Sequence, residues 1–410
     1  MSIDKKNILL FTASFPFGNG EQFLETEIKY AAFAFKKVYI LPQDLSGVAR
    51  PIPDNVEVIS KVSRFKPIVR LSLYVIKNLI TITRVYGFSF LKTKNKKKYL
   101  KGFKDHVFRL AFEIEQASCY KRELTSHLNS IDCLYFYWFD EPILHFLILK
   151  LNNQLKQRII CRTHGFDFDE RQGRFPIYRE FELSQIDAVY PVSHYGKNYL
   201  NRHYSDIYFT SRVFQLGTLS YGENPLDINR KKSKYYHIVS CSSFHKVKRV
   251  HKIVEVLRYC KVKIIWTHFG SGELEKEIKE LSKSLPSNIS AVFKGHMKNS
   301  EILDFYKTES IDLFINTSEL EGIPVSIMEA ISFGIPSIGC DTCGVPEIIT
   351  QQTGFLFPVN FRPEKMAEKI EEYFDKSEEE ILDFRKRVRQ FWKDNFNADV
   401  NYPSFINECF

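Results

Sequence analysis

Residues 319–349 read ELEGIPVSIMEAISFGIPSIGCDTCGVPEII and follow the apolar, strand-length run IDLFIN at 311–316. Asn316, Thr317 and Ser318 continue that run with turn formers. A helix is predicted to start at Pro324, because proline fits the first helical position, where its missing N–H costs nothing. Gly334 is predicted to stop it as a C-terminal cap. Glu321 then lies in the loop before the helix and Glu329 inside it, about one and a half turns on. Backbone N–H groups around Gly322, Ile323 and Val325 gather at the helix N-terminus, where the dipole favours an anion such as a phosphate. A carboxylate accepts two hydrogen bonds from a vicinal diol, so Glu329 suits a ribose and Glu321 a sugar ring. On spacing alone, a solvated loop acid and a surface helix acid fit equally well.

The same strand–loop–helix alternation runs along the chain and predicts a parallel α/β architecture. NILLFTASF, a loop with Gly18 and Gly20, EQFLETEIKYAAFAF and KVYILPQ make a β-loop-α-β start. CLYFYWF, RIICRTH and AVYPVS follow, each ending in polar residues where ligands of open α/β sheets bind. A second unit opens at YYHIVSCSS and continues through KIIWTHFGSG and AVFKGHM to the paired acids. The polar stretch SYGENPLDINRKKSKYY is the best linker, placing the boundary near residues 217–235. The expected division is 1–216, 217–392 and a C-terminal segment, 393–410, that packs back on the first domain.

Composition narrows the function classes. At 410 residues the chain can bury about two full cores, and 36 Phe with 21 Tyr argue against extensive disorder. The most apolar stretch, LSLYVIKNLITI at 71–82, contains Lys77 and is flanked by Arg70 and Arg84, so it reads poorly as a membrane span. Lys5 and Lys6 before NILLF imitate a signal peptide, but the apolar run is short and reads as the first buried strand. Eight scattered cysteines form no disulfide framework, and the CxxC of Cys340 and Cys343 reads as two reduced thiols. The net charge of +9 and the run KTKNKKKYLKGFK at 92–104 lack any nucleic-acid reading motif beside them. Following the amphipathic stretch 66–91, that run suits an anionic membrane face at about 1 kcal/mol per basic residue, and a plain solvated face fits it as well.

The stretch around the paired acids resembles the E-x7-E signature of retaining nucleotide-sugar glycosyltransferases, in particular glycosyltransferase family 4 with the GT-B fold. The pieces stand in order: Glu321-Gly322, Glu329-Ala330, Gly334-Ile335-Pro336 and Gly344-Val345-Pro346-Glu347, with Cys343 replacing a family glycine. The resemblance implies two Rossmann-like domains facing a cleft, an acceptor-binding first domain and a nucleotide-sugar-binding second one. It implies a metal-independent hexosyltransferase without a cofactor, taking a nucleotide-sugar donor and a lipid-linked or oligosaccharide acceptor in cell-surface polysaccharide assembly. Such a protein is expected in the cytoplasm, peripherally at the inner face of the membrane.

Residue by residue, SCSSFHKVKRV resembles the family text that places a phosphate-binding lysine at Lys248. The family arginine is Ser243 here, and losing that bidentate contact calls for compensation by Lys246 or Arg249. FGSGELEKEI resembles a G-x-G turn, with Ser271 where an acid is common and glycines that shape the turn. His296 and Met297 fall in the segment whose backbone meets the nucleobase. Gly18 and Gly20 resemble the glycine loop of the donor diphosphate, although a plain turn fits too. His164, in RTHGFDFDERQ, matches the segment near the reacting sugar. Asp167 and Asp169 spell a DxD that belongs to another transferase fold and reads as a decoy, with Asp167 left to orient His164 or the acceptor.

Two rival readings stay open beside a disfavoured oxidoreductase one. Asp44 after KVYILPQ is placed like the ribose acid of a dinucleotide fold, but FPFGNGEQF lacks the GxGxxG spacing. Ser243 favours a catalytically weak sugar-nucleotide-binding or partner protein. A GT-B epimerase or hydrolase would turn over the donor without an acceptor.

Overall fold

The computed structural model describes residues 6–18, 20–59, 62–68, 70–169, 177–225 and 235–410. Residues 226–234 of the expected linker and 170–172 of RTHGFDFDERQ lie outside the described residues. The chain divides into two compact units, Met1–Phe214 with Phe405–Phe410, and Gln215–Ser404.

The first unit runs β1 (Asn7–Thr12), α1 (Leu24–Ala34), β2 (Lys37–Pro42), β3 (Val56–Val58), α2 (Leu71–Lys77), α3 (Leu79–Lys92), α4 (Lys96–Lys101), α5 (Phe103–Leu128), β4 (Cys133–Phe136), α6 (Glu141–Leu151), β5 (Arg158–Thr163), α7 (Arg179–Gln185), β6 (Ala188–Pro191) and α8 (His194–His203). Its strands form one parallel sheet in the order β3-β2-β1-β4-β5-β6. Strands covered by helices on both faces need apolar side chains on both, and β4 is accordingly buried at every position. Leu24, Ile28 and Ala31 give α1 its buried stripe, and Ser193 caps α8 by accepting from the Gly196 N–H at 3.0 Å.

The second unit repeats the plan with β7 (Tyr236–Cys241), α9 (His251–Leu257), β8 (Ile264–Phe269), α10 (Glu275–Ser282), β9 (Ile289–Gly295), α11 (Asn299–Thr308), β10 (Leu313–Asn316), α12 (Val325–Ser332), β11 (Ser337–Asp341), β12 (Gly354–Pro358), α13 (Pro363–Phe374), α14 (Glu378–Asn395) and α15 (Ala398–Cys409). Its parallel sheet has the order β12-β11-β10-β7-β8-β9. Counted from its own first strand, this is the order of the first sheet. Each sheet therefore reverses direction once, between β1 and β4 and between β7 and β10, and a ligand crevice opens beyond the strand ends at such a point.

The C-terminal segment stays with the second unit longer than residue 393. Trp392 Nε1 donates to Thr218 Oγ1 at 2.9 Å, and the Ala398 N–H to the Thr218 carbonyl at 3.0 Å. A side chain at Gly217 would stand 2.6 Å from the Ala398 backbone, so glycine permits that approach. Only from Phe405 does the chain join the first core. There the Arg162 guanidinium lies 4.2 Å from the Phe405 ring centre and 2.8 Å from buried Glu27.

Candidate functional site

In the second unit, the chain leaves β7 through Ser242 and Ser243 into a 3-10 turn at Lys246–Lys248, and leaves β10 through Thr317. These two loops are laced together. Thr317 Oγ1 donates to the Arg249 carbonyl at 3.0 Å, and the Glu319 N–H to the Val247 carbonyl at 2.9 Å. The lacing brings Lys248 Nζ to 2.6 Å from Glu321 Oε1, with the carboxylate side chain only 12% exposed. Glu321 is thus paired at the sheet's reversal point and is not a solvated loop acid.

Glu329 is more deeply placed, at 9% exposure, and Asn299 Nδ2 donates to its Oε1 at 2.7 Å. Burial pushes this carboxyl up to about 7, against the lowering effect of the Asn299 hydrogen bond. The helix that carries it begins one residue later than expected: Pro324 is the N-cap, extended at φ −77° and ψ 114°, and Val325 is the first helical residue. At the other end Gly334, at φ +77°, donates to the Ile331 carbonyl while Ile335 donates to that of Ala330, a Schellman cap. The N–H groups of Gly322, Ile323, Val325 and Ser326 have no acceptor among the described residues. One face of the site thus offers unused donors, a lysine–carboxylate pair and a buried carboxyl near neutrality.

Arg249 does not replace the guanidinium missing at Ser243. Its backbone is left-handed at φ +50°, and its side chain turns away to donate to the Val359 carbonyl at 2.8 Å. Ser243 and Lys246 are both exposed. The G-x-G turn serves packing: a side chain at Gly270 would collide with the Ser242 carbonyl at 1.9 Å, and one at Gly272 with the Phe244 backbone at 2.8 Å. His296, exposed, and Met297, partly buried, follow β9 and precede Asn299, so their segment is tied to Glu329 by that asparagine. Cys340 is buried on β11, while Cys343 sits partly exposed at φ +49°, a conformation that glycine adopts without strain.

The first unit has its own cluster at the ends of β1, β4 and β5. Glu21, at φ +53°, is nearly buried. Its carboxylate accepts from the N–H groups of Ala13, Ser14 and Phe15 at 2.9, 2.7 and 2.7 Å and from Trp138 Nε1 at 2.6 Å. Gly18 donates its N–H to the Val48 carbonyl at 3.2 Å and, at φ +64°, passes so close to Gly47 that a side chain on the latter would stand 2.8 Å away. The Gly20 carbonyl accepts from the Arg50 guanidinium at 2.6 Å. The Gly18 N–H and the Gly20 carbonyl are therefore engaged within the unit.

His164 ends β5 among aromatic rings, 4.5 Å between ring centres from both Tyr137 and Trp138. Burial first, and then the Arg162 charge, holds its imidazole well below the usual histidine range, so the ring is neutral at pH 7. Nε2 donates to the Tyr137 carbonyl at 3.0 Å, which leaves Nδ1 as an acceptor. Asp167 accepts from the N–H groups of His164, Gly165 and Phe139 at 2.8, 3.1 and 3.0 Å, and Asp169 accepts from Tyr195 Oη at 2.9 Å. Both carboxylates of the DxD are thus spent on structure, Asp167 by fixing the His164 backbone. Asp44 likewise accepts from the N–H and hydroxyl of Ser46, at 2.9 and 2.7 Å. Glu21, Trp138 and Asn299 escape a reading of sequence because no spacing announces their partners, although Glu21 does directly follow the glycine turn.

Residues 223–391 match the family described as glycosyl transferases group 1. The putative colanic acid biosynthesis glycosyltransferase WcaL of Escherichia coli K12 is 25% identical over 173 residues, 40% of this chain and 42% of its own length. The N-acetyl-alpha-D-glucosaminyl L-malate synthase of Bacillus anthracis is 27% identical over 219 residues, 49% of this chain and 55% of its own length. The chain thus spans about half of the length of these curated relatives. Among solved structures, sucrose-phosphate synthase from Thermosynechococcus elongatus superposes with a TM-score of 0.69 over 98% of both chains at 13% identity. Anabaena Alr3699/HepE, solved in complex with UDP and glucose, gives a TM-score of 0.64 over 98% of both chains at 12% identity. Residues 223–391 of the second unit thus resemble the glycosyl transferases group 1 family, and the chain has the two-unit α/β fold of the GT-B glycosyltransferases.

Proposed function

We propose that this protein transfers a sugar from a nucleotide-sugar donor to an acceptor hydroxyl, with retention at the anomeric carbon and without a metal, in the assembly of a surface polysaccharide. The observation that carries this reading is the placement of the Lys248–Glu321 pair and buried Glu329 around one sheet reversal. The Lys248 ammonium and the unused amides at the start of α12 stabilise the departing diphosphate as preorganised donors. Glu329 accepts from the ribose diol, displacing the Asn299 amide, and Glu321 accepts from the donor sugar. The backbone around His296 and Met297 meets the base. His164 offers Nδ1 to a sugar hydroxyl. The Gly18–Gly20 loop approaches the donor diphosphate, with the Gly18 N–H already given to the Val48 carbonyl. Support comes from the matched family over 223–391 and from relatives named for colanic acid and amylovoran biosynthesis.

No helix among the described residues is long and apolar enough to cross a membrane. We place the protein in the cytoplasm, against the inner membrane face. The test incubates it with a panel of nucleotide sugars and a pool of lipid-linked and oligosaccharide acceptors, beside Glu329→Ala. Transfer by the native protein and its loss in the variant are expected; no transfer from any donor, or equal transfer by both, overturns the assignment. Exposed Ser243, unreplaced by Arg249, favours one second reading, donor binding without turnover. Calorimetric binding of a nucleotide sugar by a protein silent in every transfer assay would establish it.

A further inference from the structure

The first unit carries an open cavity of about 620 Å³ that the catalytic reading leaves unused. It opens beyond the carboxyl ends of β1 and β2 and is roofed by α2 and α5, with Phe11, Leu41, Leu71 and Phe112 among its apolar walls. Its size falls within the range of about 300–1,000 Å³ usual for small-molecule sites.

Two guanidinium groups reach this apolar space. Arg109 Nε lies 3.5 Å from Glu113 Oε1, and the other oxygen of Glu113 is 2.6 Å from His145 Nε2, so that carboxylate is spent. Arg64 stands exposed on the lining, 5.8 Å from the Phe112 ring centre, with no carboxylate partner among the described residues. The cavity therefore carries positive charge in excess.

Leu71 faces the cavity, yet the same helix and its successor turn apolar side chains outward. Leu73, Ile76, Leu79 and Ile80 are 52, 70, 57 and 78% exposed. Lys66 and Arg70 precede them in the sequence and Arg84 follows, with the basic run 92–104 beyond. Contiguous exposed apolar side chains mark an interaction surface, and the cationic rim selects a negatively charged one. A free phosphate would need no apolar walls, and a neutral hydrocarbon would need no Arg64.

We propose that this cavity holds the hydrocarbon chain of a lipid phosphate, with the phosphate on Arg64, delivered from an anionic membrane on which α2 and α3 rest. The proposal rests on the transferase reading and sharpens it, because it names the acceptor as lipid-linked. Two strand-end features join the cavity to the aromatic cluster around His164. Gln43, on the cavity lining, donates through Nε2 to Asp140 Oδ2 at 3.1 Å, and Asp140 follows the Trp138 segment directly.

The test titrates the full chain with decyl phosphate below its aggregation concentration, beside decyl maltoside and inorganic phosphate. Saturable one-to-one binding of decyl phosphate is expected, at least about tenfold tighter than either control. Arg64→Glu is expected to lose at least about tenfold of that affinity with an unchanged melting temperature. Ile76→Asp with Ile80→Asp should retain decyl phosphate but no longer sediment with phosphatidylglycerol vesicles. No binding, equal binding of the three probes, or an unaffected Arg64→Glu overturns the proposal. If decyl phosphate binds as expected and no donor is ever turned over, the transferase reading fails and the site stands. If transfer occurs only to water-soluble acceptors and decyl phosphate does not bind, the lipid site fails and the transferase stands.

Discussion

Glu329 combines a ligand-facing assignment with a cost to stability. Its carboxyl titrates near 4.5 when unfolded and is pushed up to about 7 by burial, so the native state keeps a proton that the unfolded chain releases. The associated stability is fully present below pH 4.5 and is lost as pH rises through 7, by about 3 kcal/mol at 1.36 kcal/mol per pK unit. Glu329→Gln removes that loss and should raise the melting temperature at pH 8 relative to the native protein. Only the ionised carboxylate accepts from both hydroxyls of a ribose diol with its two oxygens. Donor affinity should therefore strengthen as pH rises through 7 in the native protein and stay flat in the glutamine variant, as read by calorimetry across that range. Lys248 makes a different prediction. With Glu321 only 12% exposed, Lys248→Ala leaves a mostly buried carboxylate unpaired and should cost about 1–3 kcal/mol, too little to unfold the protein. Transfer should nonetheless fall by about 10²–10³-fold in kcat, the usual effect of removing one preorganised donor.

At the scale of elements, loops and caps decide where these side chains stand. The loop after β1 is folded around Glu21, whose carboxylate satisfies three backbone N–H groups and the Trp138 indole. Each buried donor left without a partner costs about 1–3 kcal/mol, so Glu21→Ala should destabilise by about 3 kcal/mol or more in chemical denaturation. Gly334 ends α12 in the left-handed region, with the Arg385 carbonyl 3.0 Å from where a side chain would begin. Gly334→Ala should cost about 1–2 kcal/mol from backbone strain, seen as a lower denaturant midpoint with an unchanged slope. The end of this helix was legible from Gly334 because only a residue at ease in that conformation closes a Schellman cap. Its start was misplaced by one residue because proline serves as N-cap and as first helical residue alike, and φ near −65° suits both.

At the scale of the molecule, the C-terminus completes the first core. Phe405, Ile406 and Cys409 are buried there, and Arg162 bridges from the Phe405 ring to Glu27 and to the Phe214 carbonyl at 3.1 Å. Ending the chain after Ser404 should leave the Glu27–Arg162 pair without its apolar cover and lower the melting temperature by several degrees. The sign to look for is loss of protection from hydrogen exchange confined to residues of the first unit.

The parallel α/β class was readable in the sequence because strands covered on both faces must be continuously apolar, as in CLYF at β4. The paired acids were readable because glycine and proline punctuate the helix between them. What only the tertiary structure decided were the partners: Asn299 against Glu329, Lys248 against Glu321, Val359 rather than a ligand for Arg249, and Glu21 for the amides of its own loop. Sequence sets the periodicity and the turns, which are local. Burial and ion pairing depend on which distant loops a sheet brings side by side, and no spacing along the chain records that.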